Sequence, residues 1–150
     1  MRRVLIALCA VLALGGCGSQ KNERANEYVN AVNRAQNDFA ATFSKLETQI
    51  TPKSSSRQDR ATLKKFEQAI DRVVAQLRAV RAPENVRTLH VQLIAAIASY
   101  RDAVEKARRA FATTNRDKLV RAQQSLVRAV TRISERITRT INQINTRLHE

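Results

Sequence analysis

An all-α chain is what the sequence predicts, on three observations. Apolar residues recur every three or four positions along four long segments, the spacing that lines side chains up on one face of a helix. The period-two alternation of a half-buried strand is absent. All three glycines lie at positions 15, 16 and 18, so nothing beyond them breaks the segments except short stretches around Pro52, Pro83 and Thr113-Thr114-Asn115.

The first segment, near 22–50, carries Ala25, Tyr28, Val32, Ala35, Phe39, Phe43, Leu46 and Ile50 at helical spacing. It stops where Thr51-Pro52-Lys53-Ser54-Ser55 begins, because proline lacks an amide hydrogen and clashes with the preceding turn. The second, near 56–81, repeats the pattern with Leu63, Phe66, Ile70, Val73, Leu77 and Val80, and Ser56 with Asp59 is expected to form its capping box. In the third, near 83–112, Pro83 suits a first helical position and Glu84 a first turn. Its stripe runs Val86, Leu89, Leu93, Ile97, Tyr100, Val104, Ala107 and Phe111. Thr114 or Asn115 caps the fourth, near 115–149, whose stripe runs from Leu119 through Leu126, Val130, Ile133, Ile137, Ile141 and Ile144 to Leu148. Val74, Ile94 and Val127 widen these faces, and the six aromatic residues fall on or beside them as core. Four helices of about 40–50 Å with short connections predict an antiparallel up-down-up-down four-helix bundle over 22–150. The rival arrangement is a more open pair of helical hairpins that completes its core by dimerising.

Upstream of the bundle the chain changes character. Arg2 and Arg3 precede an apolar run from Val4 to Leu14, followed by Gly15, Gly16 and Cys17. Positive charge, a short apolar stretch and small residues are the parts of a secretory leader. The run is well short of the roughly 20 residues a membrane-spanning helix needs. Leu14-Gly15-Gly16-Cys17 resembles the lipobox of bacterial lipoprotein precursors. That resemblance implies removal of residues 1–16 and acylation of Cys17 on its sulfur and new amino group. It also implies anchorage on the outer face of the cell membrane, or in an outer membrane facing the periplasm. A chance match within a cytosolic helix and a plain secretory leader cut elsewhere are the alternatives. On that resemblance residues 17–21 would be the lipidated cysteine and a short tether, which reaches about 15 Å when extended. The bundle then sits almost on the bilayer, with its C-terminus returning to the same end.

The chain has 27 Lys and Arg against 13 Asp and Glu, a formal net charge of +14, and losing Arg2 and Arg3 would lower it to +12. Such an excess favours anionic neighbours, and the preference for arginine over lysine suits phosphate or carboxylate recognition. A GC-rich genome explains that preference equally simply. On the fourth segment Arg121, Arg128, Arg132, Arg136 and Arg139 align opposite Ile133, Ile137, Ile141 and Ile144. One reading is a solvated face with pairs such as Glu135–Arg139. The sharper reading is a docking surface for anionic lipid headgroups or cell-wall polymers. A protein partner or self-association stays open, and any nucleic-acid affinity is expected to be non-specific.

Catalytic motifs are missing. Both cysteines, Cys9 and Cys17, precede the bundle, so it has neither a disulfide nor a thiolate metal site. His90 and His149 form no HExxH or Glu-x-x-His pattern, and His90 beside Leu89 reads as a partly buried boundary residue. No GxSxG occurs, and the absence of glycine from the domain rules out most phosphate loops. Asp71 and Asp102 are carboxylates that folding alone would have to bring together. No enzyme activity, cofactor or metal is expected. The chain reads as a membrane-anchored lipoprotein with a structural or binding role at the cell envelope. The alternative is a sensor-type bundle that takes a small ligand between its helices.

Overall fold

Amphipathic stripes on one chain are removed from water when the helices carrying them lie side by side. The computed structural model describes residues 19–50, 54–112 and 115–149, and among them there are four α-helices and no strand. They are α1 (Ser19–Glu47), α2 (Ser56–Ala79), α3 (Arg87–Ala110) and α4 (Arg116–His149), with a 3-10 turn at Glu84–Val86 leading into α3. The protein is all-α, a four-helix bundle with one hydrophobic core. The stretch expected to be a leader ending in a lipobox, Thr51-Pro52-Lys53 and Thr113-Thr114 lie outside the described residues.

Local hydrogen bonds move several of the expected boundaries. α1 begins at Ser19, so part of the expected 17–21 tether is helical, and it ends at Glu47 in a turn closed by Gln49 N–H to Leu46 C=O at 3.0 Å. The capping box sits one residue earlier than Ser56 with Asp59. Ser55 Oγ accepts from Gln58 N–H at 3.3 Å, and Gln58 Oε1 accepts from Ser55 N–H at 2.8 Å. Asp59 is already engaged, because the Ser54 hydroxyl donates to its Oδ1 at 2.6 Å. α2 stops at Ala79, and Pro83 precedes a 3-10 turn instead of opening an α-helix. A residue before proline disfavours the helical region, so the chain runs extended there. Asn115 is the cap of α4, its Oδ1 accepting from Lys118 N–H at 3.0 Å.

Close seams join α1 to α2, α2 to α3 and α3 to α4, whereas α1 and α4 are not closely paired among the described residues. Phe43 of α1 stacks edge-on against Phe66 of α2 with centroids 4.7 Å apart, and Asp38 faces Gln76. Across the next seam Glu67 meets Arg108, and Asp71 meets Arg101 instead of Asp102. Tyr100 of α3 hydrogen-bonds Ser134 of α4, and Asn85 reaches the Arg147 carbonyl at 2.6 Å. Leu77, Val86, Leu93 and Ala96 are completely buried.

Packing divides α4 in two. Ile137, Ile141 and Ile144 are buried. Leu119, Leu126, Val130 and Ile133 are only half-covered, and Val127, expected to widen the core face, is exposed. The reason is the number of neighbours. Near its start α4 packs on α3 alone, and a wide apolar stripe against one helix keeps an open edge.

His90 is buried, correcting the expectation of a boundary residue. The Leu77 carbonyl, 3.0 Å away, only accepts, so Nε2 carries the proton. Nδ1 then accepts from the Tyr28 hydroxyl at 3.2 Å, and the two rings meet edge-to-face at 5.5 Å. This neutral ring ties α1, α2 and α3 together. Burial lowers its pKa from the ordinary 6.5, partly offset by the Leu77 carbonyl, and burial pushes the Tyr28 hydroxyl up. The unfolded ring takes a proton more readily than the folded one. His90 therefore supports the fold above its unfolded pKa, and that support is lost progressively as pH falls from there through the lower folded pKa. Urea unfolding is expected to show the stability gap between native protein and His90→Gln narrowing from about pH 7.5 to about pH 5.5. A gap independent of pH would contradict this role.

Candidate functional site

Arg121, Arg128, Arg132, Arg136 and Arg139 are all exposed. At 3.6 residues per turn they fall within an arc of roughly 80°, and at 1.5 Å per residue they span about 27 Å of α4. Their positions follow from the side of the helix they share, since Ile137, Ile141 and Ile144 hold the opposite side in the core.

Charges on the α2–α3 seam are paired in several places, unlike those of the five α4 arginines. On the α2–α3 seam Arg108 Nε lies 2.6 Å from the nearly buried Glu67 carboxylate, and Arg101 Nε lies 3.1 Å from Asp71. Arg101 and Arg109 both reach Glu105, and the Arg109 guanidinium holds the Glu105 carboxyl below the usual carboxylate range. Among the described residues the five α4 arginines make no ion pair, and the expected Glu135–Arg139 pair is not formed. Arg128 donates to Ser125 Oγ at 3.3 Å, a contact that leaves its charge uncompensated. Arginines in this state keep their donors for a ligand, and a planar guanidinium matches phosphate or carboxylate oxygens two at a time.

Beside the stripe runs an open groove of about 410 Å³ between α3 and α4. Its floor is small because Ala103, Ala107 and Ala110 of α3 face Ala122 and Ala129 of α4. Facing alanines leave unfilled the volume that larger side chains would take. Lys106, Arg121, Arg128 and Arg132 line it, and no carboxylate does. The groove was not legible from the stripe alone, since it needs the register of α3 against α4. Arg136 and Arg139 continue the positive track beyond it.

Chemically the arrangement is a row of cations beside a shallow, alanine-floored groove, suited to an extended anion. Among the described residues no group of three or more His, Cys, Asp or Glu is placed to hold a metal ion. No described helix is long and apolar enough to cross a membrane. Cys17 lies outside the described residues. No protein-family model matches the chain, and no curated protein or solved structure matches it either.

Proposed function

We propose that this chain is an exported lipoprotein, anchored through acyl chains on Cys17, whose basic bundle binds an anionic polymer of the cell envelope along α4. The observation that carries the binding role is the row of five exposed arginines without an ion pair, next to a groove lined by four cations and no acid. The anchoring role rests on the Leu14-Gly15-Gly16-Cys17 resemblance. We take the helices as up-down-up-down. Late α1 meeting early α2, early α2 meeting late α3, and late α4 meeting the turn before α3 all support it.

Under that topology the start of α1, the α2–α3 connection and the end of α4 share one end of the rod, the end nearest the tether. Counting back from His149 at 1.5 Å per residue, Arg139 stands about 15 Å above that end and Arg121 about 42 Å. An upright bundle therefore offers the stripe to material above the bilayer, which favours a cell-wall polymer over lipid headgroups as its ligand. A protein partner with a row of carboxylates would use the same chemistry.

The test is co-sedimentation of the full chain with purified anionic cell-wall polymer, native against a variant with all five arginines replaced by glutamine. A cation near an anionic surface contributes on the order of 1 kcal/mol, so loss of more than about tenfold in affinity is expected at low salt, with a shallower salt dependence. Equal binding by both proteins would remove the α4 surface from consideration.

A further inference from the structure

A second hollow lies away from α4. It is a cleft of about 960 Å³ between the first half of α1 and the α2–α3 connection, within the usual range for ligand sites. Arg24 and Arg34 of α1 line one side, and Arg81 and Arg87 flank the connection on the other. Two carboxylates share the lining, Glu27 and Glu84, and Glu84 is already 3.0 Å from the Arg87 guanidinium. Arg24, Arg34 and Arg81 form no ion pair among the described residues.

The wall is held in place. Tyr28 lines the cleft, and its hydroxyl is fixed to His90, which in turn holds the Leu77 carbonyl just before the connection. Cations on two separate elements therefore face one hollow without having to be gathered by the ligand, and such preorganisation favours binding. Arg24 lies about 7.5 Å along α1 from Ser19 at 1.5 Å per residue, so the cleft opens near the point where the chain leaves for Cys17.

We infer that this cleft binds a phosphate group, and that its natural occupant is the phosphate of an anionic lipid headgroup in the anchoring bilayer. The choice of occupant rests on the Cys17 anchor proposed above, whereas the phosphate chemistry does not. Guanidinium forks from Arg24 and Arg81 would grip the phosphate oxygens, and the remaining volume would admit the glycerol beyond them.

Nuclear magnetic resonance of the full chain in uncharged detergent micelles, titrated with glycerol phosphate, tests the chemistry. The side-chain N–H signals of Arg24, Arg81 and Arg87 are expected to shift to saturation. An Arg24→Gln/Arg81→Gln variant should lose at least about tenfold in affinity, and Arg121→Gln/Arg132→Gln should keep it. Repeating the titration in vesicles identifies the source. In phosphatidylglycerol vesicles the cleft signals should already be shifted and unresponsive, and in phosphatidylcholine vesicles they should still respond. Equal response in both vesicle types assigns the cleft to free phosphate esters and rejects the headgroup as occupant. Absence of saturable shifts at these arginines in micelles overturns the site. An unacylated Cys17, read from the intact mass of the same sample, would remove the anchor while leaving the micelle result standing.

Discussion

Cys17→Ser is expected to abolish incorporation of labelled palmitate and to leave the leader attached, so that the chain runs as the larger precursor. The effect is all-or-none because one sulfur carries the proposed chemistry. Hydroxyl in place of thiol removes the atom proposed to be acylated, and the proposed cut before position 17 depends on the lipobox-like residues that end there. Acylation matters energetically, since each buried methylene adds about 0.8 kcal/mol and more than one chain gives lasting attachment. The alternative cysteine is not expected to substitute. Cys9 follows bulky Leu8 inside the apolar run and has too little chain ahead of it for an n-region. Metabolic labelling of native, Cys9→Ser and Cys17→Ser chains separates these cases. Label retained in Cys17→Ser and lost in Cys9→Ser would contradict the assignment.

Ile144→Ala should destabilise the bundle far more than Leu126→Ala, although both residues belong to one continuous stripe on α4. Ile144 is 2 % exposed, and truncating a large aliphatic residue in such a site costs about 2–5 kcal/mol through lost burial and the cavity left behind. Leu126 lines the open groove and is only partly buried. Water already reaches it and the site can relax, so its loss should cost about 1 kcal/mol or less. Urea unfolding with an unchanged slope for both variants measures the difference. Equal costs would mean that the first half of α4 is packed as tightly as the second, and the groove would then not exist as described.

That contrast also marks where sequence reasoning runs out. The helices themselves were legible, because three-and-four spacing and proline breaks act within a few residues. Their ends shifted where neighbouring side chains compete, as when Asp59 pairs with Ser54 and leaves the cap to Ser55 and Gln58. The five arginines were legible as a stripe because they share one helix. The groove and the α1 cleft were not, since each depends on the register between elements brought together by folding. His90 is the clearest case. Beside Leu89 it looks like a boundary position, yet its partners are Tyr28, 62 residues away, and Leu77, 13 away. Nothing in the period of α4 reveals that its C-terminal end, at Arg147, also meets the turn before α3.

The proposed placement at a membrane, with the basic bundle outside it, begins at Cys17. Intact-mass spectrometry of the protein purified from its own envelope is the most direct measurement of it. A mature chain starting at Cys17 and heavier than its sequence by fatty acyl groups is the predicted result. A chain that starts at Met1 and carries no acyl mass would contradict the account.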